Sequence, residues 1–354
     1  MLVVGGGPAG AVAALVLARA GHGVLLLDDA LPPSRAAESL PPAARPLLRD
    51  LRLADLLADG HLASAGNLSA WGASTLSATD FVSNPWGAGQ QLDRRRFAAQ
   101  LLQGARDAGA TVARGTTLRR LVTSEGGLWR AELSTGELWR GRWLIDASGR
   151  RSAVARRCGT RRHRLDRLVA FQATVPPTQV ADAAARDTRT LVEAECNGWW
   201  YTNPIPGGGR LVVYLTDRDL VSPRDLLSAN GFRQRLARTE HVRRCVDDAW
   251  CPRPRGCDAS SARLARFTGR GWLAIGDAAF SFDPLASQGI FNALYTGYRG
   301  GAAVGAALEG DTTGIAGLAA ESDAIQRAYW DQRRTFYALE SRWSDAPFWR
   351  RRAA

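Results

Sequence analysis

The first thirty residues, MLVVGGGPAGAVAALVLARAGHGVLLLDDA, constrain the fold more than any other stretch of the chain. Leu2–Val4 is a short apolar run. Gly5, Gly7 and Gly10 then fall on a G-x-G-x-x-G pattern that includes Pro8 and Ala9, and the small apolar run Ala11–Ala20 follows. Gly21 ends this predicted helix, Val24–Leu27 gives a second strand, and Asp28 closes it eighteen residues after Gly10. Each position has a physical reason. Gly5 allows the turn, Gly7 lets the backbone approach a pyrophosphate, and Gly10 lets helix and strand pack closely. The helix start offers unpaired N–H groups to phosphate. An acid at the end of the second strand accepts hydrogen bonds from ribose hydroxyls. The expectation is a dinucleotide-binding strand–helix–strand unit.

The rest of the chain narrows the function class. A chain of 354 residues, 45% hydrophobic, can bury a large core. No apolar run reaches the roughly 18 residues of a membrane span. The first strand stands at the start of the sequence, so no signal peptide is expected. Five cysteines without a C-x-x-C pair, and four scattered histidines, give no metal-ligand spacing. A reducing cytoplasm is the expected setting. The net charge of +12 rests wholly on arginine, because the sequence contains no lysine. That charge has two readings: a genome that writes arginine for lysine, or an anionic partner such as a nucleotide cofactor plus an acidic peptide. The arginines are too dispersed for a nucleic-acid module. Without lysine, no Schiff base can form on the chain.

After Asp28, Pro32, Pro33, Pro41 and Pro42 hold an extended segment in which Arg35, Glu38 and Ser39 can point at a cofactor. Residues 43–57 read as helix. Residues 61–91 read as short strands and loops, with Trp71 a pocket candidate. Leu92–Ala108 reads as an amphipathic helix with Asp93 near its start and Arg94 within reach of a pyrophosphate. Strands are expected at Thr111–Val112, Leu128–Leu133 and Trp143–Ile145. The last runs into the small-residue turn Asp146-Ala-Ser-Gly149. No second G-x-G-x-x-G follows, so one tightly held dinucleotide is expected. Leu168–Val175, Thr190–Ala194 and Leu211–Leu215 pattern as strands, and 228–249 as a pair of helices. Among them, Trp199, Trp200 and Tyr201 either edge a core or wall a pocket for a flat substrate. A later strand ends in Gly276-Asp277, where the acid can take a ribityl hydroxyl. A helix opening near Gly289 and Asn292 would aim its positive end at the cofactor ring.

Taken together, Gly5–Gly10, Asp28, Asp146-Ala-Ser-Gly149, Gly276-Asp277 and Asp283-Pro284 to Gly289 resemble the FAD-dependent aromatic hydroxylases, which share their fold with flavin halogenases and geranylgeranyl reductases. A narrower resemblance runs almost end to end. Glu38-Ser-Leu-Pro-Pro-Ala-Ala, Ser69-Ala-Trp71-Gly72, Leu92-Asp-Arg94, Gly198-Trp-Trp-Tyr201 and the tail from Tyr337 to Arg351 look like the flavoprotein maturases of tryptophylquinone enzymes, which hydroxylate tryptophan within a peptide or protein.

The resemblance implies an α/β fold: a Rossmann-like FAD-binding domain over 1–65, 92–160 and 259–310, a second β-sheet substrate domain over 66–91 and 161–258, and C-terminal helices over 311–354. It implies FAD, reduced by NAD(P)H directly or through a separate flavin reductase, and monooxygenation of an indole by way of a flavin hydroperoxide. Gly5, Gly7, Pro8, Ala9, Gly10, Asp28, Arg35, Ser39, Arg94, Asp146, Gly149, Gly276, Asp277, Gly289 and Asn292 would surround FAD. Trp71, Trp199, Trp200 and Tyr201 would meet substrate, and Glu38 would be the base or hydrogen-bond acceptor. Two departures bear on the reaction. The halogenase W-x-W-x-I-P pattern is half kept as Trp199-x-Tyr201-x-Asn203-Pro204, and the halogenases' catalytic lysine has no counterpart here. Halogenation, polyprenyl reduction and a non-catalytic flavin-bound scaffold stand as the alternatives.

Overall fold

A computed structural model of the chain describes residues 1–31, 37–123 and 127–353. The opening motif folds as β1 (Leu2–Val4), α1 (Pro8–Arg19) and β2 (Leu25–Asp28). These strands sit inside a six-stranded sheet in the order Thr268–Gly269, Trp272–Ala274, Leu144–Asp146, β1, β2, Thr111–Arg114. All pair in parallel except the short edge strand Thr268–Gly269. The register sets Val4 beside both Leu27 and Asp146, and Asp146 beside Ala274. Three turns therefore leave one edge of the sheet together, at Gly5, Ala147 and Ile275. In open α/β sheets that carboxyl edge is where ligands bind.

The helix Gly289–Leu308 lies directly on α1. A Cβ at Gly297 would come within 2.5 Å of the Ala9 carbonyl oxygen, so only glycine permits this approach. The contact fixes the start of the long helix relative to the glycine turn.

A second sheet of seven strands runs in the order Arg255–Asp258, Leu168–Val175, Arg210–Asp217, Gly198–Pro204, Thr190–Glu195, Gly66–Ala70, Ser77–Asp80. Alternation along Gly198–Pro204 sends Trp199 and Tyr201 to one face and Trp200 to the other. The Trp199 face packs with Tyr337, Phe348 and Trp349 from the helices Thr313–Ala338 and Pro347–Ala353. The Trp200 face packs with Tyr214, Phe232 and Trp250.

A small sheet links the two. Ala37–Leu40 pairs antiparallel with Gly89–Asp93, setting Ala37 opposite Asp93 and Glu38 opposite Leu92. Asp93 then caps the helix Arg94–Asp107 by accepting from Arg95 N (2.9 Å) and Arg96 N (3.0 Å).

Some expected elements differ. The span 228–249 holds one α-helix, Ala229–Leu236, and one 3-10 turn, Val242–Cys245. The span 43–57 breaks at Arg52, whose φ is +54°. Strands Leu118–Thr123 and Leu138–Gly141 flank the expected strand at Trp129–Leu133. Among the described residues no helix is long and apolar enough to cross a membrane.

Candidate active site

A cavity of about 740 Å³ lies over the glycine turn. Gly5 leaves β1 at φ +117°, and a Cβ there would lie 2.3 Å from the Ala147 carbonyl oxygen. A Cβ at Gly10 would lie 1.9 Å from the Gly5 carbonyl oxygen. Gly7 differs: a Cβ there meets no protein atom within 4 Å. The turn thus leaves open, at Gly7, a space that the protein itself does not use, and Gly7 and Pro8 border the cavity. No side chain caps the first turn of α1, so its amides stay available to an anion.

Asp28 borders the same cavity at the end of β2, its carboxylate 3.5 Å from Arg114 Nε. Arg94 enters from the start of its helix. Its Nε stands 2.6 Å from Glu38 Oε2, yet the angle is too poor for a hydrogen bond. Its Nη1 is buried with no hydrogen-bond partner among the described residues. An orphaned guanidinium nitrogen beside an open glycine turn fits a bound pyrophosphate. Gly149 completes this wall.

A second cavity of about 610 Å³ continues from the first, and Arg94, Ser148 and Arg151 line both. Glu38 and Ser39 form one side. Trp199, Tyr201 and Asn203, all on one face of the large sheet, form another, with Thr190 and Val192 beside them. Asp277 and the helix start at Gln288–Ile290 close the far end. The positive end of the Gly289–Leu308 helix therefore opens onto the same space as the aromatic wall.

Asp277 sits on a tethered turn. Arg162 Nη1 donates to the Asp277 carbonyl (3.0 Å) and to Ser152 Oγ (3.1 Å). Arg150 Nε lies 3.6 Å from the Asp277 carboxylate, and its Nη1 donates to the Ser260 carbonyl at 2.6 Å.

The Trp199 ring is fixed from behind. Its Nε1 donates to Tyr337 Oη (3.1 Å), which donates to Asp283 Oδ2 (2.9 Å). Arg333 Nε, at 3.3 Å, shares that carboxylate. Burial, and then the Asp283 charge, push the Tyr337 hydroxyl well above the usual tyrosine range, so it stays a donor.

Other expected residues take different places. Trp200 is fully buried on the opposite face, stacked on Tyr214 at 4.7 Å, because neighbouring strand residues face opposite ways. It is a core residue and no part of the pocket. Trp71 lies behind Trp199, its ring 6.2 Å from Trp199 and 5.2 Å from Trp349, with Nε1 donating to the Phe336 carbonyl. It braces the wall and does not line it.

Asp146 is fully buried and faces its own turn, accepting from Ser148 Oγ (2.6 Å), Ser148 N (3.1 Å), Val154 N (2.8 Å) and Ala155 N (2.8 Å). Burial raises its pKa, and these four donors oppose the rise. Its part is to shape the Ala147–Gly149 turn. Ala9, Gly10 and Gly276 are packing residues beneath the turn, with Ala9 Cβ 3.0 Å from where a Gly276 Cβ would stand. Asn292 is buried and does not border either cavity, whereas Gly289 does. Arg35 lies outside the described residues.

Arg150, Asn203 and Tyr337 were not expected at the site. Asn203 was within reach of sequence reasoning, since it follows Tyr201 by two and must share its face. The others depend on contacts across the chain that no local pattern carries.

A family model described as an FAD binding domain matches residues 1–314 of the chain. The chain belongs to that FAD-binding family. It is a flavoprotein of the aromatic hydroxylase and halogenase superfamily, and a flavin-dependent oxidoreductase. LodB of Marinomonas mediterranea, which carries the name of an FAD-dependent oxidoreductase, is 28% identical over all of this chain and 96% of its own length. The flavin-dependent halogenase armH3 of Armillaria mellea is 27% identical over 93% of this chain and 71% of its own. Two solved structures share the fold. The flavin-dependent halogenase CmlS has a TM-score of 0.86 at 24% identity, covering 99% of this flavoprotein and 66% of CmlS. QhpG, a peptidyl tryptophan dihydroxylase essential for tryptophylquinone cofactor biogenesis, has a TM-score of 0.81 at 23% identity, covering 100% and 78%.

Proposed function

We propose that this flavoprotein is a monooxygenase that hydroxylates an aromatic ring, an indole carried by tryptophan in a peptide. One observation carries the reading: the cavity over the glycine turn continues into a second one that holds an aromatic wall and Glu38, in a chain that has no lysine to activate a halogen. When bound and reduced, FAD supplies the two electrons that split dioxygen, one oxygen atom going to the ring and the other leaving as water.

The chain's own residues do the rest. The Gly5–Pro8 turn, Asp28, Arg94, Gly149, Asp277 and Gly289 would hold FAD. Trp199 and Tyr201 stack a flat ring and keep water from it. Glu38, held by Arg94, takes up the hydrogen bond or proton that the ring gives up on hydroxylation. Reducing equivalents come from NAD(P)H, directly or through a separate flavin reductase.

The test is product mass. FAD-loaded protein is given a reductant, oxygen, excess bromide and a tryptophan peptide. Addition of oxygen supports the reading. A brominated peptide as the main product overturns it in favour of the halogenase function that armH3 carries in its name.

A further inference from the structure

We propose that an arginine-lined furrow beside the candidate active site docks an acidic segment of the polypeptide that carries the aromatic substrate. This rests on the peptide reading above and adds where the rest of the peptide lies. The furrow encloses about 730 Å³. Arg150, Arg156, Arg161, Arg162 and Arg164 line it, and Asp258 is the single carboxylate in its wall. Arg150 also lies 3.6 Å from the Asp277 carboxylate, so five arginines stand against two carboxylates. The furrow is continuous with the aromatic-walled cavity, because Arg150 and Asp258 line both.

The charges divide by use. Arg162 turns inward to the carbonyl groups of Asp277 and Ala278, and Arg150 to that of Ser260. Arg164 Nη2 reaches Asp258 at 3.0 Å, its side chain still 62% exposed. Arg156 and Arg161 are exposed, and neither has an ion-pair partner among the described residues. A concave wall with this excess of positive charge focuses potential and recruits anions. The furrow walls offer no Trp, Tyr or Phe on which a base could stack, which favours carboxylates over single-stranded nucleic acid. Because an extended chain covers about 3.3 Å per residue, glutamates a few positions from the tryptophan reach the furrow while the indole occupies the cavity.

The experiment measures binding of two labelled peptides to the FAD-loaded, full-length protein: one tryptophan flanked by glutamates, and the same peptide with glutamines. The acidic peptide should bind more tightly, and its advantage should fade as salt is raised. The double variant Arg161→Glu/Arg164→Glu should weaken the acidic peptide roughly tenfold and the glutamine peptide little. Arg161→Gln/Arg164→Gln should fall between, and flavin absorbance and melting temperature report that each variant is folded. Equal affinity for both peptides, or equal loss of both in the variants, overturns the proposal. So does an oligothymidylate that binds more tightly than the acidic peptide and loses affinity in the same variants. Turnover is a separate readout: a peptide that docks through these arginines but gains no oxygen leaves the furrow standing and removes the monooxygenase reading.

Discussion

Glu38 reaches the cavity through strand pairing, because the register that sets Ala37 opposite Asp93 also brings Glu38 to Arg94 at the start of the next helix. If Glu38 handles the ring proton, Glu38→Gln should retain flavin and lower kcat by about 10²–10⁴-fold. A variant with normal kcat shows that the acid has no chemical part. Gly7 makes the complementary case. Gly7→Val adds a side chain where no protein atom stands in the way, so the protein should fold, yet it should purify without flavin. Normal flavin absorbance in that variant removes the pyrophosphate from this turn. Trp200 separates core from pocket. Trp200→Ala should cost about 3–5 kcal/mol of stability by emptying a fully buried site. Urea titration measures that loss.

The C-terminal helices act on the site without lining it. Tyr337, on Thr313–Ala338, ties Trp199 to Asp283, and Asp283 lies just ahead of the helix start that closes the cavity. The short helix Pro347–Ala353 is held by Arg351 and Arg352 on Asp217 and Asp219. The Arg351 hydrogen bond depresses the Asp219 carboxyl to about 2, against an ordinary 3.8. A depressed folded-state pKa gives stability that is fully present above the unfolded value and lost as pH falls. The tail should therefore loosen between about pH 4 and pH 2, read by the fluorescence of Trp349, and Arg351→Gln should lose this acid-dependent part. Solvent exposure of the pair keeps the effect small and salt-sensitive. An unchanged acid transition in Arg351→Gln would falsify the assignment.

At the scale of the whole molecule, what the sequence carried was local. The glycine turn, α1, β2 and Asp28 were legible because spacing alone sets them. Trp199 and Tyr201 were legible as a pair, but Trp200 was not separated from them until strand alternation was applied. The tethers Arg162 to Asp277 and Tyr337 to Trp199 join residues more than a hundred positions apart, so no window of sequence holds them.

That dispersion leads to a prediction about cofactor removal. The residues that would hold FAD come from separate segments, Gly5–Pro8, Arg94, Ser148–Gly149, Asp277 and Gly289, gathered at the edge of one sheet. A ligand bound only by the folded state stabilises it by about 2.7 kcal/mol at a free concentration 100 times Kd. The melting temperature of flavin-stripped protein should rise steadily with added FAD. Amide exchange should slow most in the turns at 147–151 and 276–290. It should change little in Leu168–Val175, whose ladder to Arg210–Asp217 is complete without the cofactor. Protection spread evenly over both sheets, or absent from the two turns, places FAD elsewhere.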